Sequence, residues 1–242
     1  MRSCETLVIG SCYYALGLAV GGQDVLICEE SENCDTRFYA TFRSFGQGLT
    51  QPATGEGRSL QAVFQQLKLL RADSRDLCGF ETAFCRFALD NGVSLLLKCR
   101  VVEICPEERG YRCTLVNNAG LETVFARRVI DTRCRGRSQA FTLLFSAEKT
   151  GAVEQLFPEG RVEPAFRKNM WALHIPVPAG ADYNAVLEEV CRRWERGQEK
   201  LLCFGSRLAQ LAPEAGNVGD ELFADPVQAF ETGLAFARKE GL

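Results

Sequence analysis

Histidine is almost missing from this chain: His174 is the single one in 242 residues. An imidazole-based triad or a zinc site built on histidine nitrogen therefore has one residue to draw on. His174 stands in LHIPVP, alternating with apolar neighbours as a strand residue does rather than as a general base. The twelve cysteines contain no CxxC pair, so metal ligands would have to gather from distant positions, and no metal site is expected. The chain is also too long for a disulfide-stapled mini-domain. Cys28, Cys85, Cys99 and Cys113 sit in apolar or alternating segments and are expected to serve as reduced core thiols.

Long apolar runs are lacking too. No stretch approaches the roughly 20 residues of a membrane span. The opening MRSCETLVI carries Glu5 within a short apolar run and has neither the apolar core nor the cleavage site of a signal peptide. A cytoplasmic protein is expected. With 28 basic against 31 acidic residues, and basic residues scattered except at Arg127, Arg128 and the cluster from Arg133 to Arg137, no extended footprint for nucleic acid is present. The 46% hydrophobic content suffices for one sizeable core or two smaller ones, burying roughly 70 to 75% of the unfolded surface.

The first thirty residues read strand, turn, helix, strand: Thr6 to Ile9, then SCYYALGLAV stopped by Gly21 and Gly22, then Asp24 to Cys28. The connection is too long for a hairpin, so a parallel pair with a crossover helix is predicted. A long stretch from Ser31 to Gly57 follows, with Phe38, Tyr39, Phe42 and Phe45 set among Gly, Thr, Ser and Gln. Loops of that length are usually functional or mobile. Helical spacing then predicts amphipathic helices over Arg58 to Arg71 and Phe80 to Asp90.

Asn91 and Gly92 close the second helix before a short strand, Val93 to Leu97. Arg100 to Cys105, Tyr111 to Val116 and Glu122 to Phe125, separated by EERG and NNAG, predict a β-meander, and Arg127 to Asp131 a returning strand. The pattern changes near Arg137. Strands over Ala140 to Ser146 and Trp171 to Val177 follow, with helices over Asp182 to Trp194, Gly205 to Leu211 and from Asp225-Pro226 through Arg238. The expected fold class is α/β: a Rossmann-like parallel sheet with crossover helices and a β-meander, plus a smaller α+β C-terminal part. Residues 1–137 form the dinucleotide-binding-like domain, and residues 138–242 a smaller substrate-like or interaction domain.

A helix N-terminus with free backbone N–H groups attracts a diphosphate, and glycines let the backbone approach it. Here the G-x-G-x-x-G/A pattern reads Gly10, Ser11, Cys12, Tyr13, Tyr14, Ala15. The first and third positions fit, whereas Cys12 stands where bare backbone is needed. Glu29 or Glu30 occupies the place of the acidic residue that binds ribose hydroxyls. The unit is about four residues shorter than usual, roughly one helical turn. Tyr13 and Tyr14 would stack on a ring or pack on the sheet. Cys12 at a helix N-terminus would be a redox-active thiol or a structural one. The arginines at 133, 135 and 137 would clamp phosphate or lie on a linker face.

The order TLVIGSCYYALG, DVLICEES, FETAFCRFALDNGVSLLLKCRVVEI, meander and RRVIDTRC resembles the FAD-dependent oxidoreductase family of two-dinucleotide-binding-domain flavoproteins. The likeness spans most of residues 5 to 137, and ADPVQAFETGLAF is similar to the family's C-terminal segment. It implies that Gly10 to Ala15 hold the FAD pyrophosphate, Glu29 or Glu30 the adenosine ribose, and Val101 and Val102 the adenine through backbone contact. Asp131, Thr132 and Arg133 take the place of the turn beside the flavin diphosphate. The chain departs from the family at Cys12, at Arg133-Cys134 in place of Thr-Gly, and in its short length. Two functions follow: an FAD-dependent oxidoreductase with a small-molecule substrate, or a degenerate relative without tight FAD binding that acts as a binding or partner subunit. An oligomer is compatible with either.

Overall fold

The computed structural model describes residues 2–35, 38, 42, 49–71, 74–133, 138–195, 197, 199–212 and 225–242. Strand β1 (Arg2–Ile9) leads into helix α1 (Tyr13–Gly21) and strand β2 (Val25–Cys28). Helix α2 (Gly55–Gln66), the short pair β3 (Leu70–Arg71) and β4 (Ser74–Arg75), helix α3 (Gly79–Asp90) and strand β5 (Ser94–Leu96) come next. The chain continues through β6 (Arg100–Glu107), β7 (Gly110–Asn117) and β8 (Gly120–Asp131). Six strands share one sheet in the order β5-β2-β1-β8-β7-β6. The pairs β2/β5, β1/β2 and β1/β8 are parallel, and β8/β7 and β7/β6 antiparallel.

The meander's third strand and the returning RRVID strand, expected as two pieces, are one strand of 12 residues, β8. Nothing between Phe125 and Arg127 breaks an extended backbone, so β8 pairs with β7 along its first half and runs beside β1 to Asp131. Helix α2 likewise differs from the predicted Arg58 to Arg71. It starts at Gly55, where the Thr54 side chain accepts the Gly57 N–H, and it ends at Gln66 with Leu67 as its C-cap, ahead of Lys68 with a left-handed φ of 54°.

The second sheet is built from β9 (Ser138–Ser146), β10 (Arg161–Pro164), β11 (Met170–Pro178), β12 (Lys200–Phe204) and β13 (Ala209–Ala212). Its order is β10-β11-β9-β12, with β13 also on β9 and every pairing antiparallel. Helices α4 (Gly151–Leu156) and α5 (Tyr183–Trp194) belong to the same stretch of chain. Gly205 to Leu211, predicted as helix, contains β13 instead. The Gly205 N–H donates to the Thr142 carbonyl and Ala209 pairs with Ala140, so the free edge of β9 recruits the segment. Local helix preference yields to an unpaired strand edge.

Helix α6 (Pro226–Glu240) returns to the first sheet's layer and packs along α1. The Asp225 side chain accepts the N–H groups of Val227 and Gln228, and Pro226 is preset for the first turn. One core lies among β1, β2 and helices α1, α2, α3 and α6. A second joins Leu7, Ile9, Leu26 and Cys28 of the parallel strands to Cys113, Leu115 and Val124 of the meander. A third sets Phe141, Phe145 and Leu173 against Val190 and Trp194 of α5. Although α1 is short, Tyr13 through Leu18 are all buried, because sheet, α3 and α6 surround it. None of the described helices is long and apolar enough to cross a membrane.

Candidate functional site

The ends of β1, β2 and β8 converge on the N-terminus of α1. Gly10 leaves β1 with φ +94°, and a Cβ there would lie 3.0 Å from Arg133 Cγ and 3.1 Å from Thr132 Oγ1. Glycine is required on both counts. The Thr132 hydroxyl stands 3.0 and 2.9 Å from the Ile9 and Gly10 carbonyl oxygens, sewing the end of β8 to the turn. Arg133 is folded onto its own neighbour: Nε donates to Asp131 Oδ1 at 2.9 Å and Nη2 to Oδ2 at 2.7 Å. These bonds raise the guanidinium pKa above its ordinary value. Arg135 and Arg137 lie outside the described residues.

The Ser11 and Tyr13 donors of the turn are engaged by the protein's own carboxylates. Glu29 Oε2 accepts from the Ser11 N–H at 2.7 Å and the Ser11 hydroxyl at 2.8 Å, and its Oε1 accepts from the Ser31 N–H at 2.8 Å. Asp35 Oδ2 accepts from the Tyr13 N–H at 3.3 Å, and the Asp35 N–H points back to the Ser11 carbonyl oxygen at 3.1 Å. Cys12 is the N-cap residue, with Sγ 3.4 Å from the Ala15 nitrogen that donates to it. Acidic groups at a helix N-terminus are stabilised by the same N–H dipoles that hold a phosphate. Here Asp35, 1% exposed, and Cys12, 5% exposed, fill that place.

Tyr13 and Tyr14 face inward. The Tyr13 ring meets Phe38, Phe64 and Phe84 edge-on, with centroids 6.1, 5.7 and 5.6 Å away, and its hydroxyl donates to the Phe80 carbonyl at 2.6 Å. Tyr14 packs near Phe236 of α6, and Ala15 is fully buried. Tyr13→Phe keeps the ring but removes the buried hydroxyl's bond to the Phe80 carbonyl, so a loss of about 1 kcal/mol is expected in urea denaturation. An unchanged midpoint would show that the hydroxyl bond contributes nothing.

The remaining predicted residues spread outward from the turn. Glu30 turns to solvent and pairs with Arg100 at 3.7 Å. Backbone bonds from Lys98 to Ser31 and from Cys99 to Glu29 bring the start of β6 beside the end of β2. Val101 is half-buried in the second core, whereas Val102 is 50% exposed at a register shift between Val101 and Glu103. His174 is away from the turn, on β11, with Nδ1 3.0 Å from Thr142 Oγ1 and Nε2 3.8 Å from Glu163 Oε2. It is a strand residue, as its alternation predicts. Among the described residues no cluster of three or more His, Cys, Asp or Glu is arranged to hold a metal ion.

Asp35 escaped sequence reasoning. It lies in the long segment after β2, and its return to α1 depends on tertiary packing, with no local pattern to mark it. Its presence decides whether the turn fits FAD. A diphosphate at the α1 N-terminus would have to displace a buried carboxylate from Tyr13, pass the Cys12 side chain and sit beside Glu29. Like charges at such separation repel strongly where solvent is excluded. Among the described residues, Arg133 beside the turn is engaged by Asp131. As arranged, these residues do not fit a diphosphate.

No protein-family model matches the chain, and no curated protein matches its sequence. Solved structures do match. A geranylgeranyl bacteriochlorophyll reductase-like protein from Thermoplasma acidophilum superposes with TM-score 0.60 at 11% identity, over 98% of this chain and 78% of its own. Aklavinone-11 hydroxylase, solved as a ternary complex with FAD and aklavinone, gives 0.58 at 13% identity, over 100% of this chain and 62% of its own. CabE, an aromatic hydroxylase from angucycline biosynthesis, gives 0.52 at 13% identity, over 84% of this chain and 51% of its own. The chain has their α/β fold. It spans about half the length of CabE and under two thirds of that of aklavinone-11 hydroxylase. At these identities the likeness is one of fold.

Proposed function

We propose that this chain keeps a flavoprotein fold without holding FAD tightly and acts as a binding or partner subunit. The observation that carries this reading is the Asp35 carboxylate on the Tyr13 N–H, at the helix end where a diphosphate would bind. Cys12 at the second glycine position and Arg133 closed on Asp131 support it. In this reading residues 1–137 together with helix α6 are the retained dinucleotide-type unit, and the remainder of residues 138–242, built on the second sheet, is the smaller interaction unit. Helix α6 returns to cover α1. The setting is the cytoplasm, and the partner is a protein or small molecule rather than nucleic acid or membrane.

The oxidoreductase reading rests on the shared fold and on Glu29 at the end of β2. A titration with FAD followed by flavin fluorescence separates the two. The partner reading predicts no saturable binding by the wild type and little change in Cys12→Gly, because Asp35 still occupies the helix end. Saturable binding that tightens in Cys12→Gly would favour the oxidoreductase.

A further inference from the structure

The Sγ atoms of Cys34 and Cys85 stand 3.6 Å apart, joining residues 51 positions apart in sequence. Cys34 follows β2 and is fully buried, whereas Cys85 lies on α3 and is half-buried. We propose that Cys34 and Cys85 form a reversible dithiol–disulfide site that exchanges with small-molecule disulfides. A disulfide needs its sulfurs about 2.05 Å apart, so the pair must close by a side-chain movement at Cys34, Cys85 or both.

The two sulfurs are not equivalent. Their shared hydrogen bond holds the Cys85 thiol below its ordinary pKa despite burial and the nearby Glu81, and pushes that of Cys34 far up. Cys34 also feels burial and Glu29, which raise it, and a bond from Ser11, which lowers it. Cys85, the more accessible and more acidic sulfur, is therefore the attacking group. Other buried thiols shift the opposite way: Cys4 is pushed up to about 11, chiefly by burial, and Cys28 and Cys99 are also raised.

In the first step the Cys85 thiolate attacks one sulfur of a small disulfide, forming a mixed disulfide and expelling one small thiolate. In the second, Cys34 gives up its proton and attacks the Cys85 sulfur, expelling the second small thiolate. Two protein thiols are oxidised to one disulfide, and one small disulfide is reduced to two thiols. Because Asp35 adjoins Cys34, the bond would tie the segment that carries the helix-end carboxylate to α3. The inference stands on the thiol geometry and does not depend on whether FAD binds.

The test is to expose the folded protein to glutathione disulfide, alkylate the remaining thiols, and map the peptides by mass spectrometry. The expected product is a Cys34–Cys85 cross-link reversed by dithiothreitol, with Cys4, Cys28 and Cys99 still alkylated. In Cys34→Ser the reaction should stop at glutathione on Cys85, a signature that a purely packed thiol would not give. Alkylation of both Cys34 and Cys85 in wild-type protein that keeps its native circular dichroism would overturn the proposal, as would their pairing with other cysteines. The wild-type map decides the matter even if a variant fails to fold.

Discussion

Gly17→Ala and Gly233→Ala each destabilise the protein by about 3 kcal/mol or more, at the upper end for overpacked sites. On α1, a Cβ at Gly17 would overlap the Phe230 carbonyl oxygen and approach the Leu234 nitrogen to 2.8 Å. On α6, a Cβ at Gly233 would overlap the Tyr14 carbonyl oxygen. These neighbours are backbone, so no rotamer change relieves the clash. Alanine's intrinsic helix advantage over glycine is only about 1 kcal/mol, and the steric cost wins. Separation of the helices would expose Val227, Phe230 and Leu234, all fully buried in the native state. Urea denaturation measures the effect, and a midpoint at or above wild type would refute this account of the α1–α6 contact.

The second large effect concerns the helix end itself. Asp35→Ala removes a buried acceptor from the Tyr13 N–H, and with Cys12→Gly it turns a self-capped helix into an open anion site. The double variant is expected to lose about 1–3 kcal/mol of stability in the absence of ligand. It should regain about 2.7 kcal/mol when inorganic pyrophosphate reaches a hundred times its Kd. Wild-type thermal stability should not respond to pyrophosphate. A wild type that is stabilised as much as the double variant would mean that Asp35 does not block the site.

Much of the first sheet was legible in the sequence because its signals are local. The run ending at Gly10, the apolar β2 and the turns at EERG and NNAG each state an element within a few residues. Glu29 at the end of β2 was legible for the same reason. Longer-range outcomes were not. The continuity of β8, the capture of Ala209–Ala212 by the edge of β9, and the docking of α6 on α1 depend on partners more than 60 residues away. Asp35 belongs with them: six positions beyond Glu29, it is an ordinary loop aspartate until packing carries it back to Tyr13. The resemblance to flavoproteins pointed to the strand ends around Gly10, and the structure brings Gly10, Glu29, Asp131 and Thr132 together there.

The most direct test of that occupancy is the visible absorption spectrum of the protein purified without added cofactor, recorded again after incubation with FAD and desalting. A helix end held by Asp35 and Cys12 predicts a colourless protein in both spectra, with the added FAD recovered in the small-molecule fraction. Flavin bands that stay with the protein through desalting would contradict it.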